Sequence, residues 1–167
     1  MPTVEEGLKE AFAGESQANR KYLAFAEKAD KDGFPQVAKL FRAAAAAETV
    51  HAHNHLKVLG GVKSTIENLK AAVEGENYEF TSMYPEFIEA AKAKGNKAAE
   101  RTFNFANEVE KIHHKLYENA VKTVESGKDL KKQDIHICPV CGYTHEGPLP
   151  DKCPVCGAPK KVFKKIE

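Results

Sequence analysis

Apolar residues recur at helical spacing over four long stretches of the chain, and capping and turn residues bound each stretch. The stretches cover residues 3–32, 35–59, 64–94 and 96–126. Short turns containing glycine separate them, which makes sequence neighbours antiparallel. The pattern predicts an all-α four-helix bundle, with strain or a kink in the third helix at Gly75 and Pro85.

The pattern changes after residue 127. Residues 128–136 are polar and charged, and short β-branched segments at 135–137 and 161–163 follow among proline and glycine turns. All four cysteines lie in this part, which is too short to fold on apolar burial alone and is expected to need a metal. We therefore predict a helical domain over 1–127, a linker over 128–136 and a small metal-bound β domain over 137–167.

The charge and hydropathy of the chain indicate which partners it could bind and where in the cell it is expected. The chain has 25 Lys and Arg against 24 Asp and Glu, so no overall field attracts nucleic acid. No run of 18 apolar residues and no secretory signal is present, so neither a membrane span nor a membrane partner is expected. We expect a cytoplasmic protein, in which paired cysteines indicate a metal site more than disulfides.

The alanine-rich second helix carries Glu48 and His51, which share one helical face because they lie three residues apart. The same pair recurs as Glu110 and His113, 62 residues later (110 − 48), in the fourth helix. A single Glu-x-x-His is more often exposed to solvent than bound to a metal. Two copies on separate helices are typical of the core of a binuclear carboxylate site.

The other two helices offer further carboxylates at compatible heights. A turn near residue 33 brings Glu15 back to the level of Glu48, and a turn near residue 95 brings Glu76 and Glu79 near Glu110. Five converging carboxylates are costly to bury unless cations compensate their charge. Oxygen ligands with a few imidazoles suit iron or manganese, so the helices are predicted to hold two metal ions.

Two tyrosines lie near these acids along the helices. Tyr22 follows Glu15 by two turns on the same face, and Tyr84 follows Glu79 by five residues. A buried helical tyrosine commonly serves core packing with a satisfied hydroxyl. A phenol beside a metal pair can also donate a proton, and the sequence leaves both roles open.

The tail contains two similar cysteine motifs, Cys138-Pro-Val-Cys141-Gly and Cys153-Pro-Val-Cys156-Gly. The glycine after each second cysteine lets backbone N–H groups turn toward the sulfurs. Four thiolates define a tetrahedral site for one metal ion, and the spacing alone fits zinc as well as iron.

Together these motifs resemble the rubrerythrin family, in which a ferritin-like di-iron domain is joined to a rubredoxin-like domain. The resemblance covers essentially the whole chain, including the segments 15–22, 48–51, 75–79, 83–85 and 110–113.

The resemblance implies a binuclear non-haem iron site and one FeS4 iron per chain. The implied di-iron ligands are Glu15, Glu48, His51, Glu76, Glu79, Glu110 and His113. The implied FeS4 ligands are Cys138, Cys141, Cys153 and Cys156. It also implies that Glu79 and His51 exchange as ligands of one iron with redox state.

The resemblance implies a peroxidase that reduces hydrogen peroxide to water in oxidative-stress defence, with the FeS4 site relaying electrons to the di-iron centre. The electrons would come from a donor such as rubredoxin or a NAD(P)H-dependent reductase. One alternative is a ferroxidase or iron-handling protein of the ferritin class. A second is a zinc-ribbon interaction protein on a helical scaffold, which leaves the converging acids unexplained.

The position of the cysteine domain at the end of the fourth helix also leads to an expectation about the oligomeric state. Thirteen residues separate His113 from Ser126, a rise of roughly 20 Å at 1.5 Å per residue. This length predicts that the cysteine domain lies far from the metal site of its own chain. We therefore expect a homodimer or a larger assembly, in which electrons cross between subunits.

Overall fold

The computed structural model describes all of residues 1–167, and it confirms the helical class and the four helical stretches. Its helices are α1 Val4–Lys31, α2 Pro35–Val58, α3 Thr65–Tyr78, α4 Tyr84–Ala93 and α5 Lys97–Glu125. A five-residue π-helical segment, Glu79–Met83, joins α3 to α4, so these two form the third stretch. No helix combines the length and the apolar character that crossing a membrane requires.

Side chains cap the helices at the predicted positions. Thr3 and Glu6 form a reciprocal capping box at the start of α1, with the Thr3 N–H donating to Glu6 Oε2 over 2.7 Å. Ser64 and Glu67 repeat this arrangement at the start of α3. Asn96 Oδ1 accepts the Ala99 N–H over 3.1 Å at the start of α5. These caps satisfy backbone donors that would otherwise lack partners.

The third stretch is irregular at Pro85 but continuous at Gly75. Pro85 has no N–H, and its ring would clash with the carbonyl four residues earlier in an α-helix. The chain adopts the π segment directly before it, where the Tyr84 N–H donates to the Glu79 carbonyl five residues back. The helix continues through Gly75 without a break.

The chain divides into two compact units, Met1–Lys63 and Ser64–Glu167. In the first unit α1 packs along α2 through small residues, and Ala26, Ala38 and Ala45 are at most 1% exposed. Phe41 packs against this alanine core. Alanines at the contact allow the two helix axes to approach closely.

In the second unit α3, the π segment and α4 pack on α5, and a three-stranded antiparallel sheet follows. The sheet has the order β2-β1-β3. Its strands are β1 Ile135–Ile137, β2 Thr144–Glu146 and β3 Lys164–Ile166. The β-branched segment 135–137 forms β1, which begins inside the segment 128–136 that we expected to be linker. The β-branched segment 161–163 is not a strand, because Lys160–Val162 is a 3₁₀ turn and β3 begins at Lys164.

The helical part of the second unit repeats the first. The capping residues Thr3 and Ser64 are 61 positions apart (64 − 3), whereas Tyr22 and Tyr84 are 62 apart (84 − 22). The second unit therefore has one additional residue between these landmarks. A π turn accommodates an additional residue without interrupting the helix, and the π segment Glu79–Met83 lies within this interval.

The alanine contact in the first unit leads to a stability prediction. Ala38 is completely buried, so Ala38→Leu should destabilise the chain by about 1–3 kcal/mol through overpacking. Chemical unfolding followed by circular dichroism measures the change. Ala43→Leu, at an exposed position of the same helix, is the control and should change the free energy of unfolding much less. Equal effects of the two variants would contradict close packing at Ala38.

Candidate metal centres

The first unit brings three metal-binding side chains together. One ligand atom each from Glu15, Glu48 and His51 lies within 4.8 Å of the others. Glu48 Oε2 lies 3.0 Å from His51 Nδ1. The buried Asn19, one turn after Glu15, donates from Nδ2 to the Ala45 carbonyl over 2.6 Å. This bond ties α1 to α2 next to the acids and so holds their relative height.

The second unit contains an equivalent group formed by Glu76, Glu110 and His113, again within 4.8 Å of one another. His113 Nδ1 lies 2.8 Å from Glu110 Oε2 and 3.7 Å from Glu76 Oε1. All three side chains are about a quarter exposed or less. These residues are the counterparts of the first group in the repeat. Glu76 lies 61 positions after Glu15 (76 − 15), and Glu110 lies 62 positions after Glu48 (110 − 48).

The proton affinities of these acids reflect their crowding. A hydrogen bond with Glu48 raises the pKa of Glu15, and the same bond, together with His51, lowers the pKa of Glu48. Burial raises the pKa of Glu76 to about 7, and the neighbouring Glu110 carboxylate adds to the effect. Without a cation, Glu76 therefore retains its proton to a higher pH than a carboxyl group in water, and the pKa of Glu15 is shifted in the same direction.

Glu79 lies at the edge of the second group. It is the first residue of the π segment and is not among the three residues that meet within 4.8 Å. Burial, followed by the Glu110 charge, raises its pKa. The repeat gives it no acidic counterpart, since the equivalent position in the first unit is Ala18 (79 − 61). The second unit thus carries one more carboxylate than the first.

The two tyrosines lie in equivalent aromatic clusters. Tyr22 contacts Phe25 and Phe41 with ring centroids 6.3 and 6.1 Å away. Tyr84 contacts Phe87 and Phe103, each with centroids 6.3 Å away. Burial raises the pKa of Tyr84, and the charges of Glu110, Glu79 and Glu76 raise it further. Tyr84 therefore packs among aromatic rings and also lies within the electrostatic influence of the three glutamates.

The four cysteines of the tail converge within 4.8 Å of one another. Cys138 Sγ lies 3.6 Å from Cys156 Sγ, and Cys141 Sγ lies 3.5 Å from Cys153 Sγ. These separations are too long for disulfide bonds.

Local backbone geometry directs hydrogen-bond donors at the sulfurs. Gly142 has a φ of 86°, which only glycine adopts readily, and the Val140 and Cys141 N–H groups donate to Cys138. Burial acts to raise the pKa of the Cys138 thiol, but these donors bring it below its ordinary value. Burial raises the pKa of Cys141 and of Cys156. The prediction that N–H groups turn toward the sulfurs is confirmed.

The side chains present fit metal ions at both kinds of site. In the helices, crowding raises the pKa of Glu15 and of Glu76, a repulsion that cations would neutralise, and the carboxylate oxygen atoms with one imidazole per group suit iron. In the tail, four convergent thiol groups with aligned N–H donors form a closed site for one thiophilic metal ion.

The cysteine domain lies against α5 of its own chain, contrary to the expectation that it lies far away. His113 Nε2 is 2.8 Å from Thr144 Oγ1 at the start of β2. The expectation considered only the length of α5, whereas the tail turns back along the helix. Nothing in the local pattern around Thr144 indicates which helix its hydroxyl contacts.

Comparisons with known proteins agree with this architecture. Residues 6–121 match the family model described as rubrerythrin, and residues 136–164 match the rubrerythrin rubredoxin-like domain. The chain is 38% identical to rubrerythrin-2 of Clostridium acetobutylicum over 94% of this chain and 93% of that protein. It is 38% identical to nigerythrin of Nitratidesulfovibrio vulgaris over 95% of this chain and 84% of that protein.

Solved structures give the same result. The structure of fully reduced, all-ferrous nigerythrin superposes with a TM-score of 0.59 and 34% identity over 99% of this chain and 88% of that chain. The structure of its mixed-valence state gives a TM-score of 0.58 and 35% identity, with the same coverage. Helices with paired Glu-x-x-His groups and a four-cysteine domain thus define a di-iron protein that also carries one rubredoxin-like iron site. The chain belongs to the rubrerythrin family.

The raised pKa of Glu76 predicts how the metal-free chain responds to pH. The folded state binds this proton up to a pH of about 7, whereas the unfolded state releases it near 4.5. The free energy of unfolding should therefore fall as the pH rises through this window. Glu76→Gln should weaken the dependence, as measured by urea unfolding of the helices in the presence of a chelator.

His113 contributes to the pH dependence that remains in the Glu76→Gln variant. The pKa of His113 is also raised, chiefly by its hydrogen bond to Glu110. Its stabilising charge is likewise lost as the pH rises, so the Glu76→Gln variant should keep part of the slope. Glu86→Gln, on the exposed side of α4, is the control. A slope that Glu76→Gln leaves unchanged would contradict a buried proton at this site.

Proposed function

We propose that this chain is a non-haem peroxidase that reduces hydrogen peroxide to water in defence against oxidative stress. The observation that carries the proposal is the presence, in one chain, of two Glu/His groups and one group of four cysteines. The first two are suited to a pair of redox-active metal ions, and the third is suited to one-electron exchange. Membership in the rubrerythrin family, a family of oxidoreductases, supports the same reaction class.

We assign the ligands residue by residue from these groups and the family resemblance. Each Glu/His group supplies donors for one iron, and Glu79 supplies a further carboxylate. The proposed di-iron ligands are Glu15, Glu48, His51, Glu76, Glu79, Glu110 and His113. The proposed ligands of the single iron are Cys138, Cys141, Cys153 and Cys156.

Reduction of one peroxide molecule to two water molecules consumes two electrons and two protons. When bound, the iron pair supplies the two electrons, and the cysteine-bound iron is a one-electron site from which it is refilled. The chain itself supplies a proton donor in Tyr84. Its phenol keeps its proton at neutral pH because burial raises its pKa.

The electrons would come from a rubredoxin or from a NAD(P)H-dependent reductase. The cysteine domain is the proposed entry point, since a four-thiolate site changes its ligand geometry little when it gains or loses one electron. A homodimer and a cytoplasmic location remain predictions.

Metal analysis combined with peroxide consumption tests the function. The iron-loaded chain should contain about three metal ions and consume peroxide continuously with a reductant and a rubredoxin present. Glu48→Ala should lose iron from the helices and keep the cysteine site. Cys138→Ser, loaded with an excess of iron, should still bind iron at the helices and oxidise it with one addition of peroxide, but lose continuous turnover.

Two other outcomes are informative. One metal ion per chain that survives Glu48→Ala and disappears in Cys138→Ser would exclude a di-iron centre. Consumption of dioxygen with accumulation of ferric mineral, in preference to peroxide, would indicate the ferroxidase alternative.

The tyrosines are tested separately, because a phenol that delivers a proton contributes little to metal affinity. Tyr84→Phe should keep the iron content and slow peroxide turnover by roughly 10²-fold, the lower range for general acid catalysis. Tyr22→Phe should also keep its iron and slow turnover, but less, because Tyr22 contacts mainly Phe25 and Phe41. Unchanged rates in both variants would assign the two residues to core packing.

A further inference from the structure

The ring of His113 has hydrogen-bond partners at both nitrogen atoms. Nδ1 faces Glu110 and Glu76, whereas Nε2 lies 2.8 Å from the Thr144 hydroxyl. A histidine that binds a metal uses one nitrogen and usually donates the hydrogen of the other to a fixed acceptor. When Nδ1 binds a metal ion, Nε2 carries the ring hydrogen, and Thr144 Oγ1 is placed to accept it.

The Thr144 hydroxyl is itself held in place by the cysteine domain. Thr144 Oγ1 lies 3.4 Å from the Gly142 carbonyl, which accepts the hydroxyl hydrogen. The Gly142 N–H in turn donates to the Cys138 carbonyl over 2.8 Å. Thr144 also pairs with Ile137 in the sheet. The hydroxyl is thus fixed by the same turn that orients the first two cysteines.

Apolar side chains lie around this contact. The turn lies on α5, where a Cβ added to Gly142 would come within 3.8 Å of Val109 Cγ1. A cavity of about 240 Å³ beside His113 and Thr144 is lined mainly by apolar side chains, including Leu69 and Leu116. Apolar side chains therefore cover part of the contact, which is half-buried.

We propose that Thr144 is a positioning residue for the helical metal centre. Its hydroxyl fixes the tautomer and the ring orientation of His113, so that Nδ1 faces the carboxylates. The bond also makes this orientation depend on the fold of the cysteine turn in the same chain. The inference rests on the proposed function, because it takes His113 to be a metal ligand.

Removal of the hydroxyl provides the test. Anaerobic titration of the full chain with Fe²⁺, in competition with a chelator, measures binding at the helices. Loss of such an outer partner typically costs 10–100-fold in metal affinity, and we expect this loss in Thr144→Val. Thr144→Ser retains the hydroxyl and should restore binding to within a few-fold. Thr123→Val, which removes a hydroxyl bonded to the Asn119 carbonyl on α5, should have no effect.

A second measurement separates positioning from a loss of folding. The visible absorption of the oxidised cysteine-bound iron reports whether the small domain is intact, and it should be the same in Thr144→Val as in the unmodified chain. Wild-type Fe²⁺ affinity in Thr144→Val would overturn the proposal. Equal weakening in Thr144→Ser would also overturn it, since the hydroxyl would then not be responsible. If the unmodified chain binds no Fe²⁺ outside its cysteines, the proposed function itself fails.

Discussion

The electrostatic cost of converging carboxylates is the constraint on which the rest of this structure depends. Each unit brings two glutamates and a histidine within 4.8 Å, and the second unit adds Glu79 nearby. Protons partly relieve this repulsion, as the raised pKa values of Glu15 and Glu76 indicate. Metal cations relieve it more completely, because they neutralise several carboxylates at once. The fold therefore gathers its most costly side chains at the candidate metal sites.

The internal repeat explains how one chain builds two similar metal-binding groups. In both units, a helical stretch with a capping box, a candidate ligand glutamate and a tyrosine is followed by a helix with Glu-x-x-His. The two copies differ by one residue, which the π segment accommodates. This segment begins with Glu79, the acid that has no counterpart in the first unit. A single inserted residue thus coincides with the chemical difference between the two groups.

In the second unit, a hydrogen bond joins the Glu/His group to the cysteine domain. Thr144, fixed by the cysteine turn, contacts the nitrogen of His113 that faces away from the carboxylates. The cysteine domain is therefore more than an appendage of the helices, because it takes part in orienting a candidate ligand of the other site. This contact also removes the geometric reason for expecting electrons to enter only from another subunit.

The sequence by itself determined the helices, their caps and the candidate ligands, because these follow from local spacing. Glu-x-x-His places two side chains on one face of a helix, and Cys-x-x-Cys-Gly places two thiols and their N–H donors in one turn. The β-branched residues at 161–163 do not form a strand, because strand formation depends on pairing with neighbours distant in sequence. Only the tertiary structure decided that Glu79 lies at the edge of its group and that the tail turns back onto α5. No local pattern encodes the contact between His113 and Thr144, since it joins residues 31 positions apart across two different elements.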